Sequence, residues 1–262
     1  MITPSRPTKS ASFGVTNAVF IGRSIRHSLR NTDSLIMAIM LPIMLMLLFT
    51  YVFGGAIDSS GDYVNYVVPG IILLCAGFGS SSTAVDVAND MTNGIIDRFR
   101  TMPIRSLSVI TGHVVASVAR NLLATGIVIG VALLVGFRPT ANVLEWVGAI
   151  AVITLFILTF TSLFAAIGLV ASSPSAASGY GFALLFLPYL SSAFVPTDTM
   201  PAWLRGVANH QPITPVIETI RGLLTGAPIH DRAWWAIGWC LLILLLSLVW
   251  SVWAFRRKAG RR

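Results

Sequence analysis

Charge is what this sequence has least of. Only 11% of its 262 residues are Asp, Glu, Lys or Arg, less than half the roughly 25% of an ordinary soluble domain. Hydrophobic residues make up 55% and the mean hydropathy is +0.79. So few polar side chains cannot cover a water-facing surface, which excludes an ordinary soluble protein. Cysteine is nearly missing. Cys75 and Cys240 both sit inside apolar runs with no C-x-x-C spacing, so a zinc site, a redox pair and a disulfide framework are excluded, and the two read as small core residues. The sequence contains no H-E-x-x-H and no paired-carboxylate cluster, so no catalytic residue and no metal ligand set is expected. It also has no G-x-x-x-x-G-K-[ST] phosphate loop, and therefore cannot bind and hydrolyse ATP by that route.

What the sequence does have is long apolar runs. Six segments, residues 35–53, 66–87, 114–137, 144–170, 178–195 and 234–255, are long enough to cross about 30 Å of hydrocarbon at about 1.5 Å per residue. Lipid offers the backbone no hydrogen-bond partner, so all six are expected to be helices. Trp234, Trp235 and Trp239 mark one end of the last run, and Trp250 and Trp253 the other, as interfacial anchors do. No internal repeat or Gly/Ser linker divides the chain. It reads as one membrane domain over residues 1–262: a basic arm (1–34), a six-span bundle (35–255) and a basic tail (256–262).

The basic residues set the orientation. There are 18 Lys and Arg against 10 Asp and Glu, a net +8. On a soluble protein that excess would suggest nucleic acid; here it concentrates at the two ends, and no nucleic acid partner is expected. Arg6, Lys9, Arg23, Arg26 and Arg30 precede the first span; Arg98, Arg100 and Arg105 follow the second; Arg256, Arg257, Lys258, Arg261 and Arg262 follow the sixth. Only Arg138, Arg205, Arg221 and Arg232 fall on the opposite side. The positive-inside rule puts both termini in the cytoplasm of a multi-pass plasma-membrane protein.

Three segments are not simple spans. The N-terminal arm lacks the uninterrupted apolar core of a secretory signal. Arg23, Arg26, His27 and Arg30 share one helical face, with Ala18, Ile21, Ile25 and Leu29 opposite. That pattern suits a helix lying in the membrane interface among lipid headgroups; a disordered basic leader is the alternative. The loop after span two, residues 90–112, carries Asp90, Asp97, Arg98, Arg100 and Arg105 around an apolar stripe of Ile95, Ile96, Phe99 and Met102. Pro103 would end that short amphipathic helix. It suits docking to a soluble partner, or a surface loop held at headgroup level. Residues 196–231 hold Pro196, Pro201, Pro212, Pro215 and Pro228 around two short apolar pieces, 202–208 and 216–224. Neither spans a bilayer. With a break at residues 210–215 they read as an external re-entrant hairpin between spans five and six, or as a compact external cap. Glu218 and Arg221, at i and i+3, are spaced to pair.

Few ionisable residues lie at membrane depth. Asp86 near the end of span two and Arg120 in span three would form an inner-leaflet ion pair, or Arg120 would snorkel to lipid phosphate. The otherwise uncharged midplane argues against a proton relay or ion-coupled transport. GFGSSS at residues 77–82 has the serines of an intramembrane nucleophile, but close helix packing is the better reading of its small residues.

The fold class is thus an all-α membrane protein with six transmembrane helices, an N-terminal interfacial amphipathic helix and an external re-entrant hairpin. This order resembles the ABC-2 type transporter permeases, and most closely their daunorubicin/doxorubicin-resistance branch. Two stretches carry the likeness. IIDRFRTMPIRSLSVITG (95–112) is similar to the family's cytoplasmic charged helix and its Thr-Pro-Ile-Arg step, here with Met102 inserted between Thr101 and Pro103. PTDTMPAWLR (196–205) and QPITPVIETIRGLLTG (211–226) resemble its external proline signature, with Gln211 where Asn is usual.

The resemblance implies a permease subunit of an ATP-driven exporter, not an enzyme. It implies two copies of a separate ABC ATPase, which bind the ATP and magnesium, and a second permease of the same or a related chain. Asp90, Ile95, Asp97, Arg98, Phe99, Arg100, Pro103 and Arg105 would couple to the ATPase, with Arg23, Arg26 and Arg30 on the interface helix beside it. Pro212, Glu218 and Arg221 would belong to the external hairpin. Phe78, Ser81, Phe182, Phe186, Tyr189 and Phe194 would line a path for an amphipathic substrate. Drugs or antibiotics are one substrate class; lipids, lipid-linked glycans or polyketides are the other. An ion-coupled transporter or channel, and a membrane assembly protein, are the readings from other classes.

Overall fold

The computed structural model of the protein describes residues 32–58, 61–93 and 107–259. Among them every regular element is helical. The chain runs α1 (Thr32–Leu47), a π-helical turn (Leu48–Phe53), α2 (Gly54–Ile57), α3 (Tyr63–Thr92), α4 (Leu107–Val135), α5 (Val143–Val170), α6 (Pro174–Leu184), two 3-10 turns (Leu187–Leu190 and Thr197–Thr199), α7 (Ala202–His210), α8 (Ile213–Thr225) and α9 (Arg232–Ala259). Five helical stretches are long and apolar enough to cross a membrane: 38–57, α3, 114–135, α5 and 232–254.

Local chemistry sets the boundaries. Arg138 Nη1 donates to the carbonyls of Leu133 (3.0 Å) and Phe137 (3.2 Å), closing the end of α4. Asn142 and Glu145 start α5 with a reciprocal capping box, the Glu145 amide donating to Asn142 Oδ1 at 3.0 Å and the Asn142 amide to Glu145 Oε2 at 2.7 Å, which satisfies two otherwise orphaned donors. Ser173 caps α6, and Pro174 takes its first position, where no amide is needed. Gly226 ends α8 in the left-handed region (φ 72°), and the Thr140 amide donates to the Leu224 carbonyl at 2.9 Å.

The bundle is built around α3. This helix packs against α1, α4, α5, α6 and α8, and Val67, Val68, Ile71, Ile72, Leu73 and Leu74 are fully buried within it. Its longest contact is with α5, where a Cβ on Gly168 would lie 2.5 Å from the Ala84 carbonyl oxygen. Only glycine permits that approach. By contrast, α1 and α9 expose Ile36, Met40, Met44, Leu241, Leu245 and Val249, as helices facing lipid do.

The fifth apolar segment departs from expectation. Residues 178–195 were expected to be one spanning helix, but α6 stops at Leu184 after 11 residues, and the chain continues through the 3-10 turn Leu187–Leu190 and further turns. The other five segments are helices close to the expected bounds, and the two short external pieces are α7 and α8, broken at residues 211–212. The expected interface helix and the charged helix between spans two and three lie outside the described residues.

Replacing Gly168 by Val forces α3 and α5 apart. Overpacking of this kind costs about 1–3 kcal/mol, read as a lower thermal midpoint of the detergent-solubilised chain; an unchanged midpoint would refute the close-contact argument.

Candidate functional site

Two polar constellations sit inside the apolar bundle. The first joins α3, α4 and α5. The serines of the 77–82 motif donate to their own helix one turn back: Ser80 to Ala76 (2.7 Å), Ser81 to Phe78 (2.8 Å) and Ser82 to Gly79 (2.9 Å). Their hydroxyls are thereby satisfied by their own helix, an arrangement of packing and not of an activated nucleophile. Ser80 also meets Thr161 of α5 at 3.1 Å, and Thr83 meets Ser117 of α4 at 2.6 Å. Asn121 of α4 donates Nδ2 to the Ala76 carbonyl (2.7 Å) and to Ser80 Oγ (3.0 Å). Its amide fills the space over Gly79, where a Cβ would come within 2.4 Å of Oδ1. Arg120 is buried, donates Nη2 to Ser82 Oγ, and feels the opposite charge of Asp86. It turns inward against α3 rather than running along the surface.

The second constellation holds the broken fifth segment. Away from a helix, its backbone carbonyls need partners, because none is available from lipid. Phe186 and Pro188 find theirs in amides three residues on; four others are met by distant side chains. Tyr63 Oη donates to the Phe194 carbonyl (2.7 Å) and Tyr66 Oη to that of Ser192 (3.0 Å). Gln211 Nε2 donates to the carbonyls of Leu187 (3.2 Å) and Leu190 (2.7 Å). Arg221 of α8 donates Nη2 to the Ser192 carbonyl (2.7 Å), and Nε and Nη2 to the Tyr66 carbonyl (both 3.1 Å). Its guanidinium carbon lies 3.8 Å from the Tyr66 ring centroid, a cation–π contact that offsets part of the desolvation of a buried charge. The expected local pair is replaced: Glu218 Oε2 bonds Arg232 Nε at 2.8 Å, which leaves Arg221 free to turn inward.

On the face of the fifth segment a row of rings is continuous. Phe182 and Phe186 meet edge-on (centroids 5.2 Å), Phe186 and Tyr189 are 6.0 Å apart, and Tyr189 stacks on Phe194 at 5.3 Å. Phe194 stacks on Phe49 at 4.3 Å, and Phe49 meets Phe53 at 5.5 Å. These spacings suit attractive ring pairs. Phe182 and Phe186 are mostly exposed, Phe194 is buried, and the row thus runs from the surface into the bundle.

Helices of this length, packed by small and hydroxyl residues around a central span, are a transporter architecture. The sequence profile of the ABC-2 type transporter family matches residues 17–225. The chain belongs to that family. It is an integral membrane protein of the permease type, and such permeases work with ABC ATPase partners. It is 31% identical over 211 residues to the daunorubicin resistance ABC transporter permease protein DrrB1 of Streptomyces coeruleorubidus, covering 80% of this chain and 73% of that one. It is 24% identical over 234 residues to the probable doxorubicin resistance ABC transporter permease protein DrrC of Mycobacterium tuberculosis, covering 88% and 84%. With ABC transporter G family member 20 of Dictyostelium discoideum it shares 21% over 204 residues, 27% of that longer protein.

Of the residues expected on the substrate path, the structure strings Phe182, Phe186, Tyr189 and Phe194 into one row. Ser81 faces α6 at Gly181, 3.6 Å from its Cβ position, and Phe78 packs half-buried against the main core. Sequence reading missed Phe49 and Phe53, which lie in the π-helical turn over 100 residues away in the chain. Of the expected coupling residues only Asp90, in the last turn of α3, is described. Ile95, Asp97, Arg98, Phe99, Arg100, Pro103 and Arg105, like Arg23, Arg26 and Arg30, lie outside the described residues. Pro212 and Gln211 form the break between α7 and α8.

Arg221→Leu leaves the Tyr66 and Ser192 carbonyls short of a donor, at about 1–3 kcal/mol. Arg221→Lys, with no planar fork, recovers only part of that. A lowered melting point with new protease nicking at residues 185–195 is the expected readout; a chain indifferent to both substitutions would contradict the clamp.

Proposed function

We propose that this chain is the permease half of an ATP-driven exporter that moves amphipathic compounds, drugs or antibiotics among them, out across the plasma membrane. The observation that carries this reading is the row of rings from Phe182 to Phe53 on a chain whose relatives are drug-resistance permeases. Aromatic faces without a fixed charge hold flat apolar ligands with little directional demand. Such a surface fits substrates that share amphipathic character rather than one shape.

The broken fifth segment is a sixth crossing, and both termini are cytoplasmic. α7 and α8 form a re-entrant hairpin. In support, Pro212 at their break lines the same groove as Ile243 of α9. Ile243 lies nine residues from Trp234, about 14 Å along a helix and about half of a 30 Å core. Residues 90–105 seat in a groove of the ATPase, and the N-terminal helix with Arg23, Arg26 and Arg30 lies beside them. Two ATPases carry the ATP and magnesium, and two permeases face each other across the path. When the ATPases close, residues 90–105 push on α3 and α4. The Asn121, Arg120 and Thr83–Ser117 contacts make those helices move together, since packed helices shift between discrete arrangements.

The test is purification of the tagged chain from its membrane in mild detergent with mass spectrometry of its companions. A near-stoichiometric protein bearing a Walker A loop, with hydrolysis stimulated by amphipathic compounds, is expected; a folded chain that comes alone in several detergents refutes the reading. Arg98→Ala with Arg100→Ala should abolish recovery of the ATPase while leaving membrane insertion intact. Phe186→Ala should leave that recovery unchanged and weaken the apparent substrate affinity by about two- to tenfold; unchanged export kinetics would remove the row of rings from the path.

A further inference from the structure

We propose that the groove between the broken fifth segment and α9 is a binding site for an anionic phospholipid, with one acyl chain in the groove and the headgroup at the basic tail. Because α6 ends at Leu184, no helix among the described residues fills the space between the turns that follow and the last span. The result is an open groove of about 660 Å³. Leu163, Leu184, Leu187, Leu246, Trp250 and Trp253 line it, and Ser247, the one polar side chain on its wall, is occupied by a bond to the Ile243 carbonyl at 2.7 Å.

Three features select the occupant. The wall is apolar, so it takes a hydrocarbon chain and not a polar compound. On α9 it runs from Ile243 to Trp253, ten residues or about 15 Å of helix, half of the roughly 30 Å core and hence the depth of one leaflet. Beyond Trp253, α9 continues to Ala259 and carries Arg256, Arg257 and Lys258. In sequence these three cations begin three residues after Trp253, the last residue of the groove wall. A cluster of cations at the headgroup end of an acyl-chain groove is complementary to a phosphate with net negative charge. A zwitterionic lipid matches the groove but not the cations. The argument needs only a membrane-spanning α9, and stands whether or not the chain exports drugs.

The measurement uses the full-length chain in nanodiscs of phosphatidylcholine with a minor fraction of phosphatidylglycerol, released into mild detergent and weighed by native mass spectrometry with its retained lipid. Phosphatidylglycerol is expected to be retained out of proportion to its share. The triple variant Arg256→Gln, Arg257→Gln, Lys258→Gln should weaken that retention by on the order of a hundredfold. Val249→Trp, which fills the groove from an exposed position and leaves every charge in place, should also displace the lipid. If the triple variant does not elute as a folded species, Arg257→Gln alone should show a loss of roughly fivefold. Retention of the two lipids in their nanodisc ratio overturns the site. So does a charge effect with full retention in Val249→Trp, which would mean surface attraction without a seated chain.

Discussion

Inside a bilayer every backbone amide and carbonyl must find a partner within the protein, and the segment from Leu185 to Val195 is where this chain meets that demand by means other than a helix. Leu187, Leu190, Ser192 and Phe194 each offer a carbonyl to a distant side chain. Their donors are Tyr63, Tyr66, Gln211 and Arg221. The helix pair α7–α8 and the first turn of α3 are therefore not accessories to the fifth segment. They supply the donors with which it leaves helical geometry. α8 is apolar on most of its surface and buried from Ile213 to Leu224, which brings a guanidinium to a place where it would be too costly alone. Three hydrogen bonds to two carbonyls and a ring face make it tolerable, and the Glu218–Arg232 pair ties the same helix to the start of α9.

At the other end of α3 the same need is met in miniature. Asn121, Arg120, Thr83, Ser117, Ser80 and Thr161 exchange hydrogen bonds across three helices. In hydrocarbon there is no hydrophobic force between helices, so such contacts and tight van der Waals packing hold them together. α3 is therefore fastened at both ends by directional bonds and along its length by glycine-permitted contact with α5. A helix held in this way transmits a push along its axis rather than bending under it.

Much of this was legible in the sequence, for a definable reason. Span positions follow from apolar run length, whereas the caps at Asn142, Ser173 and Gly226 emerged only with the structure. The 77–82 motif read as packing because its residues are small, and its hydroxyls do bond within their own helix. The break in the fifth segment was not legible. Residues 178–195 have the composition of a span, and the donors that allow it to unwind are 21 to 131 residues away in the chain. The same distance effect misled the reading of Arg221. Local spacing pairs it with Glu218, but the buried carbonyls of Tyr66 and Ser192 outcompete a partly exposed carboxylate that has Arg232 beside it. Phe49 and Phe53 were missed because ring stacking between a first-span turn and a fifth-span turn leaves no local pattern.

The unwound segment also divides the surface in two. Phe186 and Tyr189 belong to the row of rings, while Leu187, between them, lines the groove against α9. One strip of backbone thus carries an aromatic wall on one side and an aliphatic wall on the other. A strip held by side-chain donors can shift when those donors shift, and Tyr63 and Tyr66 ride on α3. Axial movement of α3 therefore reaches the aromatic row and the groove through the same hydroxyls, so the two surfaces change in concert. The central span is fastened to α4 by its polar seam and to the fifth segment by its tyrosines, so no displacement of α3 can leave either neighbour untouched.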